Sequence, residues 1–153
     1  MRAINHALTG AVIGAYVTEP AIALPLAFFS HYVCDAIPHY GGGKPETEEL
    51  NSSSFRTLLL IDALLCGLLV LILALRRPQH WLLMAFCAFL AASPDFFSIG
   101  RYLNARKHQP PKLNAYQRFA SAIQWFEKPS GAVVEVVWFI AMLIILVPII
   151  RQR

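Results

Sequence analysis

Apolar positions in this chain are bunched rather than alternating. Residues 57 to 75 run TLLLIDALLCGLLVLILAL with Asp62 as the sole charge, and residues 132 to 150 run AVVEVVWFIAMLIILVPII with Glu135 as the sole charge. Each run approaches the ~20 residues a helix needs to cross a bilayer. The pattern predicts six helical segments, roughly 3–17, 20–37, 55–76, 79–97, 113–127 and 131–150. The first two are joined tightly at Glu19-Pro20 and are short for a full crossing. The first is also rich in small residues, Ala7, Gly10, Ala11, Gly14 and Ala15, which let helix backbones approach closely in lipid.

Leu113, Tyr116, Phe119, Ala120, Ile123 and Phe126 recur at helical spacing between polar residues, the pattern of a helix lying at a membrane interface. Trp125 and Phe126 suit the role of interfacial anchors. The expected fold is therefore all-α: one polytopic transmembrane bundle of about five membrane-inserted helices plus one interfacial amphipathic helix. Within that single domain, residues 1–39 form a helical hairpin and 40–54 a polar loop, with Ser53 or Ser54 as the cap of the next helix. Residues 55–97 form a transmembrane hairpin, 98–130 a basic connector carrying the amphipathic helix, and 131–153 the last crossing.

Composition agrees with the pattern. The 153 residues are 57% hydrophobic and only 14% charged, against about 25% charged in an ordinary soluble domain. The first segment is interrupted by His6, Thr9, Gly10 and Gly14 and has no clear cleavage site, so a cleaved signal peptide is not expected. Cys34, Cys66 and Cys87 lie far apart in apolar runs and are expected to pack as small hydrophobes.

Net charge is +4. Threading the segments back and forth places nine of the 13 Lys and Arg on the side shared by the N-terminus, the 38–54 loop and the 98–130 connector, which the positive-inside tendency puts in the cytoplasm. Arg101, Arg106, Lys107, Lys112 and Arg118 make the connector basic, a match for membrane lipid with an anionic headgroup. Nucleic acid is not expected as a partner, because no recognition motif accompanies the charge.

The ionisable residues inside this oily chain are few and ordered. His31 and Asp35, four apart, share a helix face, and Pro38 ends that helix with His39 beside it. Given alternating helix directions, His6, His31, Asp35, His39, Asp62, Asp95 and Glu135 fall toward one side, most of them within about 10 Å of one boundary in depth. Charges in a membrane are costly, face the bundle interior and usually pair or bind something. Imidazole and carboxylate together make a donor set for a divalent metal, zinc first, with manganese or iron as alternatives. The expected ligands are His6, His31, Asp35, His39 and Asp95. Asp62 and Glu135 are expected to act as catalytic base, with a salt bridge to Arg56 or Arg101 as their structural alternative.

Three stretches carry a resemblance. HALTGAVIGA near the N-terminus, SHYVCDAIPHY at 30–40 and ASPDFF at 92–97 are similar to the YdjM-like family of predicted membrane-bound metal-dependent hydrolases. His6 matches the family's early histidine, while His31, Asp35 and His39 match its H-x-x-x-D-x-x-P-H pattern. Asp95 matches the aspartate of its Pro-Asp step; Phe96, Phe97 and Ser98 then stand where many relatives continue with another Asp and His. The resemblance implies several transmembrane helices in a bacterial inner membrane, helix-end His and Asp residues around a metal, and hydrolysis of a phosphoester or lipid-like substrate. The alternatives are a non-catalytic membrane scaffold with a buried polar cluster and a small ion-binding or transport protein.

Overall fold

The computed structural model describes residues 1–43, 46–107 and 113–152. Among them the regular structure is helical: α1 (Ala3–Tyr16), α2 (Pro20–Ala36), α3 (Glu46–Asn51), α4 (Ser53–Arg76), α5 (Trp81–Ala92), α6 (Ile99–Arg106), α7 (Ala115–Ile123) and α8 (Gly131–Arg151), with a 3-10 segment at Ser93–Ser98 between α5 and α6.

Among the described residues, three helical stretches are long and apolar enough to cross a membrane: Ser53–Arg76, Trp81–Arg106 and Gly131–Arg151. They point large apolar side chains outward, with Leu60 61% exposed, Phe86 61% and Ile144 69%. A hydrocarbon solvent rewards that arrangement and water does not. At 1.5 Å per residue, α1 and α2 are only about 21 and 26 Å long, less than the ~30 Å hydrocarbon core.

α1 is the central element, packed against α5 above all and also against α2, α4 and α8. Its small residues explain how. A Cβ on Gly10 would lie 2.2 Å from the carbonyl oxygen of Cys87, and one on Gly14 would lie 2.7 Å from the Cα of Met84. Backbone therefore meets backbone along the α1–α5 seam, as the small-residue run predicts. Around it Leu8, Leu69, Leu73, Met84 and Leu146 close a core shared by α1, α4, α5 and α8. Cys34 and Cys87 are buried and unbridged thiols, and Cys66 is half-buried.

Several boundaries differ from those read in the sequence. Residues 46–51 of the expected polar loop form the short helix α3, which Asn51 fastens to the end of α6 through the carbonyl of Ala105 at 2.8 Å. The cap of α4 is Ser52, whose hydroxyl accepts from the Phe55 amide at 3.0 Å, because the helix starts at Ser53 rather than at 55. The segment expected over 79–97 loosens to a 3-10 turn at Pro94 and then continues helical to Arg106, so the chain is ordered well into the expected connector. The amphipathic helix is nine residues long and opens on a capping box between Asn114 and Gln117. A short parallel pairing of 39–41 with 126–128 joins the exit of α2 to the approach of α8: the His39 amide donates to the Phe126 carbonyl at 3.4 Å, and the Lys128 amide to the His39 carbonyl at 3.0 Å.

Candidate metal centre

The i, i+4 spacing of His31 and Asp35 does what it predicts, and both side chains turn inward from the last turns of α2. His6 enters from the first turns of α1, and Asp95 from the 3-10 segment. Pro94 helps to create the site. In a 3-10 register the carbonyl of Ala91 faces residue 94, which as proline has no N–H to give. The Nδ1–H of His31 fills that vacancy, donating to Ala91 O at 2.8 Å.

This bond fixes the chemistry of the ring. With Nδ1 protonated, the lone pair of neutral His31 lies on Nε2, the atom 3.3 Å from Asp35 Oδ2 and 3.7 Å from Asp95 Oδ1. Two carboxylates and a lone pair facing one another are a favourable arrangement only with a cation or a second proton among them. His6 stacks on His31 with ring centroids 4.0 Å apart and an interplanar angle of 23°. Its Nε2 is 3.1 Å from Asp35 Oδ1, yet among the described residues neither ring nitrogen has a hydrogen-bond partner of good geometry, and the residue is fully buried.

Taking one ligand atom each from His6, His31 and Asp95, the three lie within 4.8 Å of one another. Asp35 braces the group, receiving the amino group of Met1 at Oδ1 and the Gln124 amide of the α7 segment at Oδ2, the latter at 3.2 Å. Asp95 forms the open side, with its side chain 43% exposed. Nitrogen and carboxylate donors, an imidazole anchored to a carbonyl through its other nitrogen, and a buried imidazole lacking partners among the described residues make a group that could hold a metal ion.

The remaining predicted residues stand elsewhere. His39 is buried but outside this group, its Nδ1 donating to the carbonyl of Ile37 at 2.9 Å. Burial, followed by the nearby amino group of Met1, holds its imidazole below the usual range. Asp62 and Glu135, expected in the same pocket as the histidines, line a separate cavity of about 480 Å³ between α1, α4 and α8, together with Arg2, Asn5 and Tyr40. Asp62 Oδ2 pairs with Arg2 Nε at 2.8 Å, not with Arg56 or Arg101, and the first-turn amides of Ala3 and Ile4 lie beside its carboxyl. Glu135 Oε1 accepts from the Tyr40 amide at 3.3 Å, and its backbone carbonyl accepts from Asn5 Nδ2 at 3.2 Å. Two acids from two spans thus clasp the positive start of α1, where the helix dipole favours them.

Sequence reasoning missed Arg2 as the partner of Asp62 and missed Gln124 altogether. It also missed the hydroxyl chain in which Tyr32 donates to Tyr116 at 3.4 Å and Tyr116 to the carbonyl of Pro94 at 3.1 Å. The available signal was the polar stripe of α7, which breaks an otherwise apolar repeat. Of the basic connector, Arg101 bonds Ser121 Oγ at 3.0 Å and Arg106 rests over the ring of Tyr102, while Arg118 is exposed and Lys112 lies outside the described residues.

Comparison with known proteins returned no match among family models, curated proteins or solved structures.

Proposed function

We propose that this protein is an integral membrane metal-dependent hydrolase that cleaves a phosphoester of a lipid-like substrate near one membrane face. In this reading α1 and α2 are inserted beside the three long spans, giving five inserted helices with α7 at the interface. Positive-inside charge then puts the site at the cytoplasmic face of a bacterial inner membrane. The observation that carries the proposal is the pairing of two stacked, buried imidazoles with two carboxylates, where the anchored Nδ1 of His31 leaves the lone pair of Nε2 aimed at negative charge.

His6, His31 and Asp95 are the ligands, and zinc is the first choice, ahead of manganese or iron. Such an ion supplies Lewis acidity, lowering the pKa of a water and polarising a phosphoryl oxygen. Asp35 orients both imidazoles and is itself held by Gln124. Asp95, on the open side, is the group a substrate meets first. Asp62 and Glu135 act in this reading through α1, by fixing the helix that presents His6, rather than as the catalytic base.

A second reading draws on the same contacts. A second proton on His31 would satisfy both carboxylates and leave a scaffold locked by an ion-paired cluster. Elemental analysis of detergent-purified protein separates the two. The hydrolase reading expects close to one equivalent of a divalent transition metal, lost in a His31→Ala, Asp35→Ala double variant, and release of nitrophenol from bis(p-nitrophenyl) phosphate that stops on chelation. A folded wild-type protein that stays metal-free after incubation with zinc, manganese and iron sinks it.

A further inference from the structure

The ends of two candidate spans meet at a second polar cavity, away from the histidines. It measures about 330 Å³ and is lined by Leu50, Asn51, Arg56 and Arg106. Arg56 lies in the first turn of α4, and Arg106 is the last residue of the stretch Trp81–Arg106. Both guanidiniums therefore sit at the boundary of the apolar layer and on the same side of it. Asn51 builds the cavity by tying α3 to α6, and the Phe55 and Tyr102 rings, 5.9 Å apart, close α4 against α6 beside it.

Among the described residues the charge lining this cavity is all positive, and no carboxylate lines it. Among the described residues the Arg56 guanidinium has no hydrogen-bond or ion-pair partner, and Arg106 makes only a long bond to the Tyr102 hydroxyl, 3.4 Å, and the stack on that ring. The acid Glu49, one residue before Leu50, is not among the described lining residues and accepts from the Gly42 amide at 2.9 Å. Two planar guanidiniums and an amide around one space match the oxygens of a phosphate group, which arginine binds in forked geometry. A lipid phosphate lies at this depth in a bilayer, and anionic headgroups are drawn to basic residues there.

We propose that Arg56 and Arg106 form a phosphate seat at the membrane boundary. The seat stands independently of the metal reading, because its described lining residues include none of the metal-site side chains. The group it holds is a phosphate mono- or diester, supplied by a lipid headgroup or by a soluble anion.

The test uses the full chain in maltoside micelles, titrated calorimetrically with dihexanoyl phosphatidic acid, with inorganic phosphate and with dihexanoyl glycerol, which lacks the phosphate. Arg56→Gln and Arg106→Gln are each expected to weaken phosphate-bearing probes about tenfold, and the double variant to abolish binding. Dihexanoyl glycerol should bind no better to wild type than to the variants. Arg76→Gln, at the far end of α4, should bind as wild type does. Weakening with both phosphate probes assigns the phosphate itself, and weakening with phosphatidic acid alone assigns the lipid as source. Wild type that binds neither phosphate probe, or an Arg56→Gln, Arg106→Gln protein that binds both as well as wild type, overturns the proposal. Should the double variant fail to purify, either single variant carries the same reading, and unchanged metal content in it separates this site from the metal centre.

Discussion

The two polar groups on either side of α1 are built on different rules. Toward α2 and α5, imidazoles and carboxylates crowd together: Asp35 meets the Met1 amino group and Gln124, while the fully buried His6 finds no good partner among the described residues. Toward α4 and α8, each carboxylate meets a donor: Asp62 has Arg2, and Glu135 has the Tyr40 amide. Each side leaves a buried acceptor unmet among the described residues, Asn5 Oδ1 and Asp62 Oδ1 in the second case, but only the first gathers imidazoles and carboxylates where one cation or proton would serve several of them, while the second anchors a helix start. Position along α1 does not distinguish them, since Asn5 and His6 are neighbours on it. Which face of α1 a residue meets does.

Experiments can break this contrast or sharpen it. The largest effect is expected from Gly10→Leu, which drives a side chain into the Cys87 carbonyl and separates α1 from α5. Both polar groups hang on α1, so the variant should lose cooperative unfolding and, on the proposed reading, metal binding together, as read by melting in detergent and by metal content. Next, on the metal-dependent reading proposed above, His6→Ala should lower metal occupancy and phosphodiesterase activity about 100-fold while the protein still folds, since one of the three proposed ligands is lost. Asp62→Asn should do the reverse, keeping its metal but losing about 2 kcal/mol of stability, because a mostly buried Arg2 partner is left unmatched. If Asp62→Asn empties the site and His6→Ala does not, the division of roles is refuted.

A smaller effect is expected from Gln124→Leu, which removes one bond to Asp35. The loss is about 1 kcal/mol or roughly fivefold in activity, with metal content unchanged. The smallest concerns pH. Burial lowers the folded pKa of His39, so the unfolded chain takes up a proton that the folded one refuses. Its stabilising contribution is present above the unfolded value near 6.5 and declines as pH falls through it. Melting temperature should drop from pH 7.5 to pH 5.5, and His39→Gln should flatten that slope.

Much of the architecture was legible. The long runs around Asp62 and Glu135 announce two spans by length alone, and the spacing of His31 and Asp35 announces a shared face. Gly10 and Gly14 announce a backbone contact. What stayed hidden depends on rotation and on partners far away in sequence. Nothing local tells that Asn5 and His6, one residue and about 100° apart on α1, look toward different neighbours. Placing Asp62 and Glu135 with the histidines followed from depth, which hydropathy gives, without azimuth, which only packing gives. Arg2 counted only as a charge until α4 was beside it. Helix α3 went unseen because six polar residues carry no apolar period.

The pairing of residues 39–41 with 126–128 bears on biogenesis. A stretch just past the second helix cannot be clasped until the ribosome has delivered the segment preceding the last one. The early hairpin must therefore wait, its histidines unsheltered, while two candidate spans are made. Long-range closure of this kind slows assembly and leaves the waiting intermediate exposed to proteolysis. Truncation before Phe126 should accordingly yield a short-lived chain rather than a smaller stable protein.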